Sequence, residues 1–149
     1  MLIRRERPGD VDAIDEVHRR AFVGEPAGSE PVEVGLVRAL RADRGWVPAL
    51  SLVAEDGAGN VVGHVVGSLG AVEDVAVVGL GPVGVVPERQ GSGVGHSDYY
   101  PRFGFVGAAG LGILPPDPTW GEHFQARTLA AYTPDLRGTF RYAVPFEAH

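Results

Sequence analysis

The chain has 149 residues, a formal net charge of −6 and no cysteine, and its 13 basic residues are all arginine. The length suits one domain over residues 1–149, and the absence of cysteine and lysine excludes disulfides, thiolate nucleophiles, Cys-ligated zinc, Walker P-loops and Schiff-base enzymes. The sequence has no run of basic residues, so nucleic acid is not expected as a partner. It shows neither a signal peptide nor an apolar run of the ~18 residues that a membrane span needs, so we expect a cytoplasmic protein. The arginine- and glycine-rich composition indicates a bacterial source.

The N-terminal part predicts a strand followed by two helices. Residues 2–6 have the pattern of a short strand, and the chain then breaks before Asp10, a residue type that caps helix N-termini. A first amphipathic helix is predicted from apolar residues at helical spacing, namely Val11, Ile14, Val17, Ala21 and Phe22. After a loop over residues 24–31, a second helix is indicated by Val34, Val37 and Leu40.

Three strands are predicted next. Residues 50–55 and 61–69 form a hairpin around the turn sequence at residues 56–60. The third strand covers residues 75–86 and contains Pro82, which lacks an amide hydrogen for the ladder and therefore predicts a bulge or an exposed edge. Further on, residues 99–103 are expected to form at most one helical turn, and alternating patterns predict strands over residues 123–129 and 140–146.

The third strand runs into a glycine-rich loop. The sequence Val85-Val86-Pro87 is followed by the pattern Gln90-x-x-Gly93-x-Gly95. Glycines let the chain turn without a Cβ clash, so successive backbone N–H groups can converge on one point and bind an anionic phosphate. The loop therefore predicts a phosphate-binding site.

The order of elements and two motifs resemble the GNAT superfamily of acetyl-CoA-dependent N-acetyltransferases. The first motif is the strand and loop just described, and the second is Asp98-Tyr99-Tyr100-Pro101-Arg102-Phe103-Gly104-Phe105. The resemblance implies an α/β fold, α+β in stricter usage, with a mixed, mostly antiparallel sheet flanked by helices. It also implies direct transfer of an acetyl group from acetyl-CoA, the cosubstrate, to a primary amine of a small molecule or peptide.

The resemblance further implies roles for single residues. The strand backbone over residues 83–86 would pair with the pantetheine arm, and the loop amides would bind the pyrophosphate. The implied cofactor-binding residues are Val85, Val86, Gln90, Gly91, Ser92, Gly93, Val94 and Gly95. Tyr100 would protonate the departing thiolate, a strand N–H would stabilise the charge on the thioester oxygen, and a base active near pH 7 would keep the amine neutral.

The chain departs from the family pattern directly after the loop. Family members have a helix and a parallel strand between the two motifs, but only three residues separate Gly95 from Tyr99, and a parallel crossover needs at least ~10–12 residues. The fold is therefore expected to be truncated. The loop would lack the positive end of a helix dipole, so we expect the chain to bind acetyl-CoA weakly or not at all.

This departure leaves an alternative function open. A catalytically impaired GNAT-like domain could serve as a binding or assembly module instead of an enzyme. Loss of a strand also leaves a sheet edge unpaired, and a homodimer would cover it.

Other candidate sites have weaker support in the sequence. Residues 79–84 match Gly-x-Gly-x-x-Gly, but a strand and not a helix follows, which argues against a dinucleotide fold. The five histidines lack metal-ligand spacing, so no metal is expected and each histidine is interpreted as solvated or packed. Glu73 and Asp74 precede the third strand, where a base could lie, but nothing separates them from ordinary loop acids.

Overall fold

The computed structural model describes residues 1–90 and 104–148, and within them two helices pack on one face of a six-stranded sheet. The helices are α1, Val11–Ala21, and α2, Val32–Arg41. The strands in chain order are β1 Leu2–Arg5, β2 Trp46–Glu55, β3 Val61–Val72, β4 Val75–Val85, β5 Val106–Gly107, β6 Ile113–Leu114, β7 Gln125–Ala126 and β8 Gly138–Arg141.

The main sheet has the order β1-β2-β3-β8-β6, and β4 also pairs with β3. Ala71 and Val72 of β3 pair with β4 on one edge and with β8 on the other. The pairings in the described part of the chain are antiparallel except for that of β6 with β8, and β5 and β7 form a separate small sheet. The structure thus confirms the expected mixed, mostly antiparallel sheet with helices packed against it.

The predicted hairpin between β2 and β3 is confirmed. The Asp56 carboxylate accepts hydrogen bonds from the N–H groups of Ala58 and Asn60, each at 2.9 Å, which close the turn over residues 56–60. The bond from the Asn60 N–H is the main cause that lowers the pKa of Asp56 below its usual value. β2 starts earlier than the predicted residue 50, because Trp46 already pairs with Ser68 across an irregularity in register.

The bulge predicted at Pro82 is also confirmed. The register places Val65 opposite Val83 and Gly67 opposite Leu80, so two residues of β4 stand opposite one residue of β3. Gly81 has φ +138°, a conformation that residues with a Cβ rarely adopt. Pro82 has no N–H to donate to the ladder, so the extra residue falls where the pairing is weakest.

Asp10 does not cap α1 as expected. Its backbone is already helical, at the end of a 3₁₀ turn over Pro8–Asp10, and no cap bond runs from its side chain to α1. The carboxylate instead accepts from the Arg7 N–H at 2.6 Å and from both terminal nitrogens of Arg4. The guanidinium of Arg4 is the main cause that lowers the pKa of Asp10 to about 2.

The core lies between the helices and one face of the sheet. Its largest cluster contains Ile14, Leu36, Val37, Leu40, Val53, Val66 and Ala143. The opposite face of the sheet is less covered, since Leu69, Val78 and Leu80 are 40–45% exposed. Sheet pairing places these three side chains on one face, because Leu69 stands opposite Val78 and Gly67 opposite Leu80.

The two strands predicted in the C-terminal third are largely wrong. Of residues 123–129 only Gln125–Ala126 is a strand, and the pattern over residues 140–146 yields a strand that ends at Arg141 and a 3₁₀ turn, Val144–Ala148. The alternating aromatic residues contact one another: the Tyr142 ring lies 4.6 Å from Phe140 and 4.4 Å from Phe146, centroid to centroid. The chain therefore turns back on itself to close an aromatic cluster. The helical turn expected at residues 99–103 lies outside the described residues.

Candidate functional site

The end of β4 presents backbone groups to a free edge. Val86 donates its N–H to the Val62 carbonyl at 3.0 Å, and the register pairs Val85 with Gly63 and Val83 with Val65. In an antiparallel pair, hydrogen-bonded and non-hydrogen-bonded residues alternate. The N–H and C=O groups of Val83 and Val85 therefore point away from β3. No strand among residues 1–90 and 104–148 pairs with that edge of β4.

Three of the predicted cofactor-binding residues are described, and they have different surroundings. Val85 lies at the free edge and its carbonyl accepts a hydrogen bond from the Gln90 side-chain amide at 2.8 Å. Val86 is buried against Val17 and Val62, and both its N–H and its C=O bond within the chain. Gly91, Ser92, Gly93, Val94, Gly95 and the predicted catalytic Tyr100 lie outside the described residues.

Two ion pairs connect the turn that follows β4 to the rest of the fold. It is a 3₁₀ turn over Pro87–Arg89, and it carries one acidic and one basic side chain. Glu88 pairs with Arg20 of α1 at 2.6 Å, and Arg89 lies 3.8 Å from Asp56 in the β2–β3 turn. A hydrogen bond with its own backbone and the pair with Arg20 lower the pKa of Glu88 below its usual value. These exposed contacts orient the start of the predicted phosphate loop.

A buried chain of polar side chains lies behind the end of β4. The Nε2 atom of His18 lies 2.8 Å from Nδ1 of His64, and Nε2 of His64 lies 2.8 Å from the Ser51 hydroxyl. The hydroxyl bonds the Glu6 carboxylate at 2.9 Å, and Arg41 donates two hydrogen bonds to that carboxylate. These side chains thus link β2, β3, both helices and Glu6, the residue that directly follows β1.

The Glu6 carboxylate determines which atom donates and which accepts in each hydrogen bond of this polar chain. A carboxylate only accepts, so the Ser51 hydroxyl donates to Glu6 and accepts from Nε2–H of His64. Nδ1 of His64 is then the acceptor for Nε2–H of His18, which leaves Nδ1 of His18 without a proton. Burial is the main cause that lowers the pKa of His18 to about 4 and that of His64 to about 3, so both rings are neutral at pH 7.

Sequence reasoning interpreted these histidines as solvated or packed and did not connect them. Packing is what the structure shows, since His18 is 0% and His64 3% exposed. The available signal was their position: His18 follows Ile14 by four residues on the apolar side of α1, and His64 alternates with Val62 and Val66 on the buried face of β3. A polar residue at a core position requires a partner.

Glu73 and Asp74 lie at the other end of β4. They form the turn between β3 and β4, beside a cavity lined by Val75, Tyr132 and Arg137, among others. The 11 residues of β4 span roughly 30 Å at the usual rise per residue. Neither carboxylate can therefore act as a base at Val83 or Val85.

Among the described residues, no group of three His, Asp or Glu side chains could hold a metal ion, and no helix is long and apolar enough to cross a membrane.

No protein-family model matches the chain. It is 32% identical over 169 residues to YjhQ of Escherichia coli K12, described as an uncharacterized N-acetyltransferase, with 93% of this chain and 90% of YjhQ covered. A structure of YhbS, a GNAT family N-acetyltransferase from Escherichia coli in complex with CoA, matches with a TM-score of 0.79 and 29% identity over 98% of this chain and 91% of YhbS. A GNAT family acetyltransferase from Brucella melitensis in complex with acetyl-CoA matches with a TM-score of 0.69 and 32% identity over 97% of both chains.

The similarity to YjhQ extends over nearly the whole of both proteins. The two solved structures share the fold at similar levels of identity. The strand-and-loop motif and the Tyr-Tyr motif therefore indicated the right relationship, and the chain belongs to the GNAT family of N-acetyltransferases.

Proposed function

We propose that this protein transfers the acetyl group of acetyl-CoA to a primary amine of a small molecule or peptide. The observation that carries the proposal is the free edge of β4, where the backbone groups of Val83 and Val85 point outward beside a bulge. The pantetheine arm contains amide groups, so it can pair with such an edge much as an added strand does. CoA and acetyl-CoA are bound in the two related structures, which supports the same choice of cosubstrate here.

The reaction proceeds by direct attack. The neutral amine attacks the thioester carbonyl carbon, a C–N bond forms and the C–S bond breaks. The amine nitrogen loses a proton to a carboxylate or to water, and the departing thiolate takes up a proton from Tyr100. An outward N–H of β4 stabilises the negative charge that develops on the carbonyl oxygen. The backbone amides from Gln90 to Gly95 bind the pyrophosphate.

We expect the affinity for acetyl-CoA to be lower than in the relatives. The alignment with YjhQ extends over 169 residues and this chain has 149, so YjhQ contains residues without a counterpart here. This agrees with loss of the helix and strand after the loop. Without that helix, the pyrophosphate lacks a dipole worth roughly half a unit charge. Similarity to acetyltransferases along nearly the whole chain favours a weakened enzyme over a binding or assembly module.

A calorimetric titration of the 149-residue chain with CoA and acetyl-CoA tests the proposal, together with an assay of thiol release in the presence of different amines. We expect a dissociation constant between about 10 μM and about 1 mM, in the weak part of the range for substrates. Amine-dependent thiol release should fall about 10²-fold in Tyr100→Phe. If neither compound binds and no amine yields thiol, the enzyme assignment is wrong and the module becomes the better description.

A pair of proline variants tests the free edge itself. Val85→Pro removes an N–H that points to solvent, so it should leave the β3–β4 ladder intact and abolish CoA binding. Ile3→Pro is the matched control, because Ile3 pairs with Ala54 one residue away from the hydrogen-bonded pairs of β1 and likewise points its N–H outward. The control should bind CoA as the wild type does. If both variants bind CoA with equal affinity, the backbone edge at Val85 does not take part in CoA binding.

A further inference from the structure

The ring of His18 lies directly against the backbone of Gly84. A Cβ atom built on Gly84 would lie 2.8 Å from Nδ1 and 3.0 Å from Cε1 of His18. Real Cβ atoms essentially never lie as close as 2.8 Å to another heavy atom, so only glycine fits beneath the ring without a shift of the ring or the strand. Gly84 stands between Val83 and Val85, the two residues whose outward groups form the proposed cosubstrate edge.

We propose that His18 and His64 are positioning residues that fix the end of β4 in the conformation that binds the pantetheine arm. The inference rests on the proposed function, because it assigns the two residues to acetyl-CoA binding. They act from the buried face of the sheet and reach the cosubstrate only through the backbone of residues 83–85.

The position of the His18 ring is fixed from several sides. Nε2–H is held by His64, and the plane of the ring stacks on Phe22 with a centroid distance of 5.9 Å and an interplanar angle of 10°. His64 is held in turn by Ser51, and Ser51 by the Glu6 carboxylate that Arg41 clamps. A movement of β4 towards the helices would therefore bring Gly84 into a steric clash with the His18 ring, which these contacts hold in place.

The buried nitrogen lone pair of His18 that accepts no hydrogen bond from the described residues agrees with this role. Nδ1 is buried and has no hydrogen-bond partner among the described residues. It faces the Gly84 backbone, where a proton on Nδ1 would need space and an acceptor. The bond direction set by Glu6 keeps that nitrogen free of a proton, so the strand can approach closely. An apolar side chain of similar size would fill the space but would not be held in one orientation by hydrogen bonds.

Two matched pairs of variants test the proposal in the full chain. Gly84→Ala adds a methyl group against His18, and Gly63→Ala adds one on the neighbouring strand at ordinary contact distances of 3.5 Å or more. Ser51→Ala breaks the polar chain, and Ser68→Ala removes an equally buried hydroxyl that has no partner within residues 1–90 and 104–148. Ser51→Ala adds no volume, so it remains informative if Gly84→Ala does not fold.

The measurements are CoA affinity by calorimetry and hydrogen exchange of the Val86 amide, which bonds the Val62 carbonyl at 3.0 Å. We expect Gly84→Ala and Ser51→Ala to weaken CoA binding by about tenfold or more, because small misplacements at a binding site have large effects, and to speed exchange at Val86. Gly63→Ala and Ser68→Ala should change neither. The double variant His18→Ala with Gly84→Ala should bind CoA more tightly than Gly84→Ala alone, since the clash is gone.

The outcomes separate this inference from the proposed function. If the wild type binds CoA and both variants bind as their controls do, the positioning role is wrong and the proposed function stands. If the wild type does not bind CoA, the proposed function is wrong, and the assignment of His18 and His64 to cosubstrate binding is overturned with it. If the Val86 amide of Gly84→Ala and Ser51→Ala exchanges at the same rate as in the control variants, the positioning role is wrong whether or not the wild type binds CoA.

Discussion

The two buried histidines predict a steep loss of stability in mild acid. In the unfolded chain a histidine has a pKa near 6.5, whereas burial holds the pKa of His18 at about 4 and that of His64 at about 3. Between those values the unfolded state takes up protons that the folded state does not. The free energy of unfolding must therefore fall as the pH drops below about 6.5.

The size of the effect follows from the same pKa values. From about pH 7 to about pH 5, each histidine removes about 2 kcal/mol, so the pair removes about 4 kcal/mol. That is a large share of the about 5–15 kcal/mol of a typical domain. Asp10, whose pKa is lowered to about 2, contributes only at lower pH, because its stabilisation is lost as the pH falls through its usual value near 3.8 towards 2.

Urea unfolding at a series of pH values between about 5 and about 7 measures this slope, which should reach about 2.5 kcal/mol per pH unit near pH 5.5. His64→Gln removes one titrating group and should halve the slope, whatever its effect on stability at pH 7. A wild-type slope no steeper than that of His64→Gln would refute the reasoning. So would an NMR titration in which either ring protonates above about pH 6 in the folded protein.

Three further predictions concern packing, charge and assembly. Leu40→Ala empties a site that is 0% exposed and should cost about 3 kcal/mol, whereas Leu129→Ala, at a side chain 65% exposed, should change the urea midpoint little. Arg4→Ala removes the partner of two largely buried carboxylates and should lower the melting temperature more than Arg19→Ala, whose ion pairs are exposed. We also propose a homodimer that covers the free edge of β4 only on the far side of the bulge from Val83 and Val85, so that both residues stay accessible to the cosubstrate; sedimentation at micromolar concentration should then give twice the monomer mass of 15.7 kDa, and a monomer would contradict it.

The sequence predicted the first ninety residues well because their signals are local. The turn at residues 56–60 is closed by the side chain of Asp56 on its own neighbours, and the bulge follows from the missing N–H of Pro82. Both signals act within a few residues and do not depend on the rest of the fold. The family motif added the edge at Val85, which periodicity alone does not distinguish from any other strand end.

The C-terminal third was predicted poorly because its signals are tertiary. Alternating aromatic residues are typical of a strand, but here the Tyr142 ring packs against the rings of both Phe140 and Phe146. That cluster also contacts Trp120, whose ring lies 6.2 Å from Tyr142. The alternating aromatic residues therefore belong to a small aromatic core and not to a β-strand. Only the packing of segments that are distant in the sequence distinguishes these two structures.

The hydrogen-bond partners within the polar chain behind β4 could not be predicted for a related reason, although the core positions of His18 and His64 were visible in the sequence. Glu6, Ser51 and His64 are separated by 45 and 13 residues along the sequence. Ser51 and His64 look like isolated polar residues in apolar strands, whereas Glu6 stands between two arginines in a charged segment. Only the strand order brings them together.

The same geometry explains how a shortened GNAT domain can keep the strand end that would bind its cosubstrate. Within residues 1–90 and 104–148, the contacts that shape this strand end come from the N-terminal part: His18 lies beneath Gly84, Val62 bonds Val86, and Arg20 pairs with Glu88 in the turn that follows. None of them needs the helix and strand expected after the loop. Loss of those elements should therefore weaken pyrophosphate binding and leave the backbone edge at Val83 and Val85 in place, because one depends on the helix dipole and the other on the β3–β4 pairing and the buried histidines behind it.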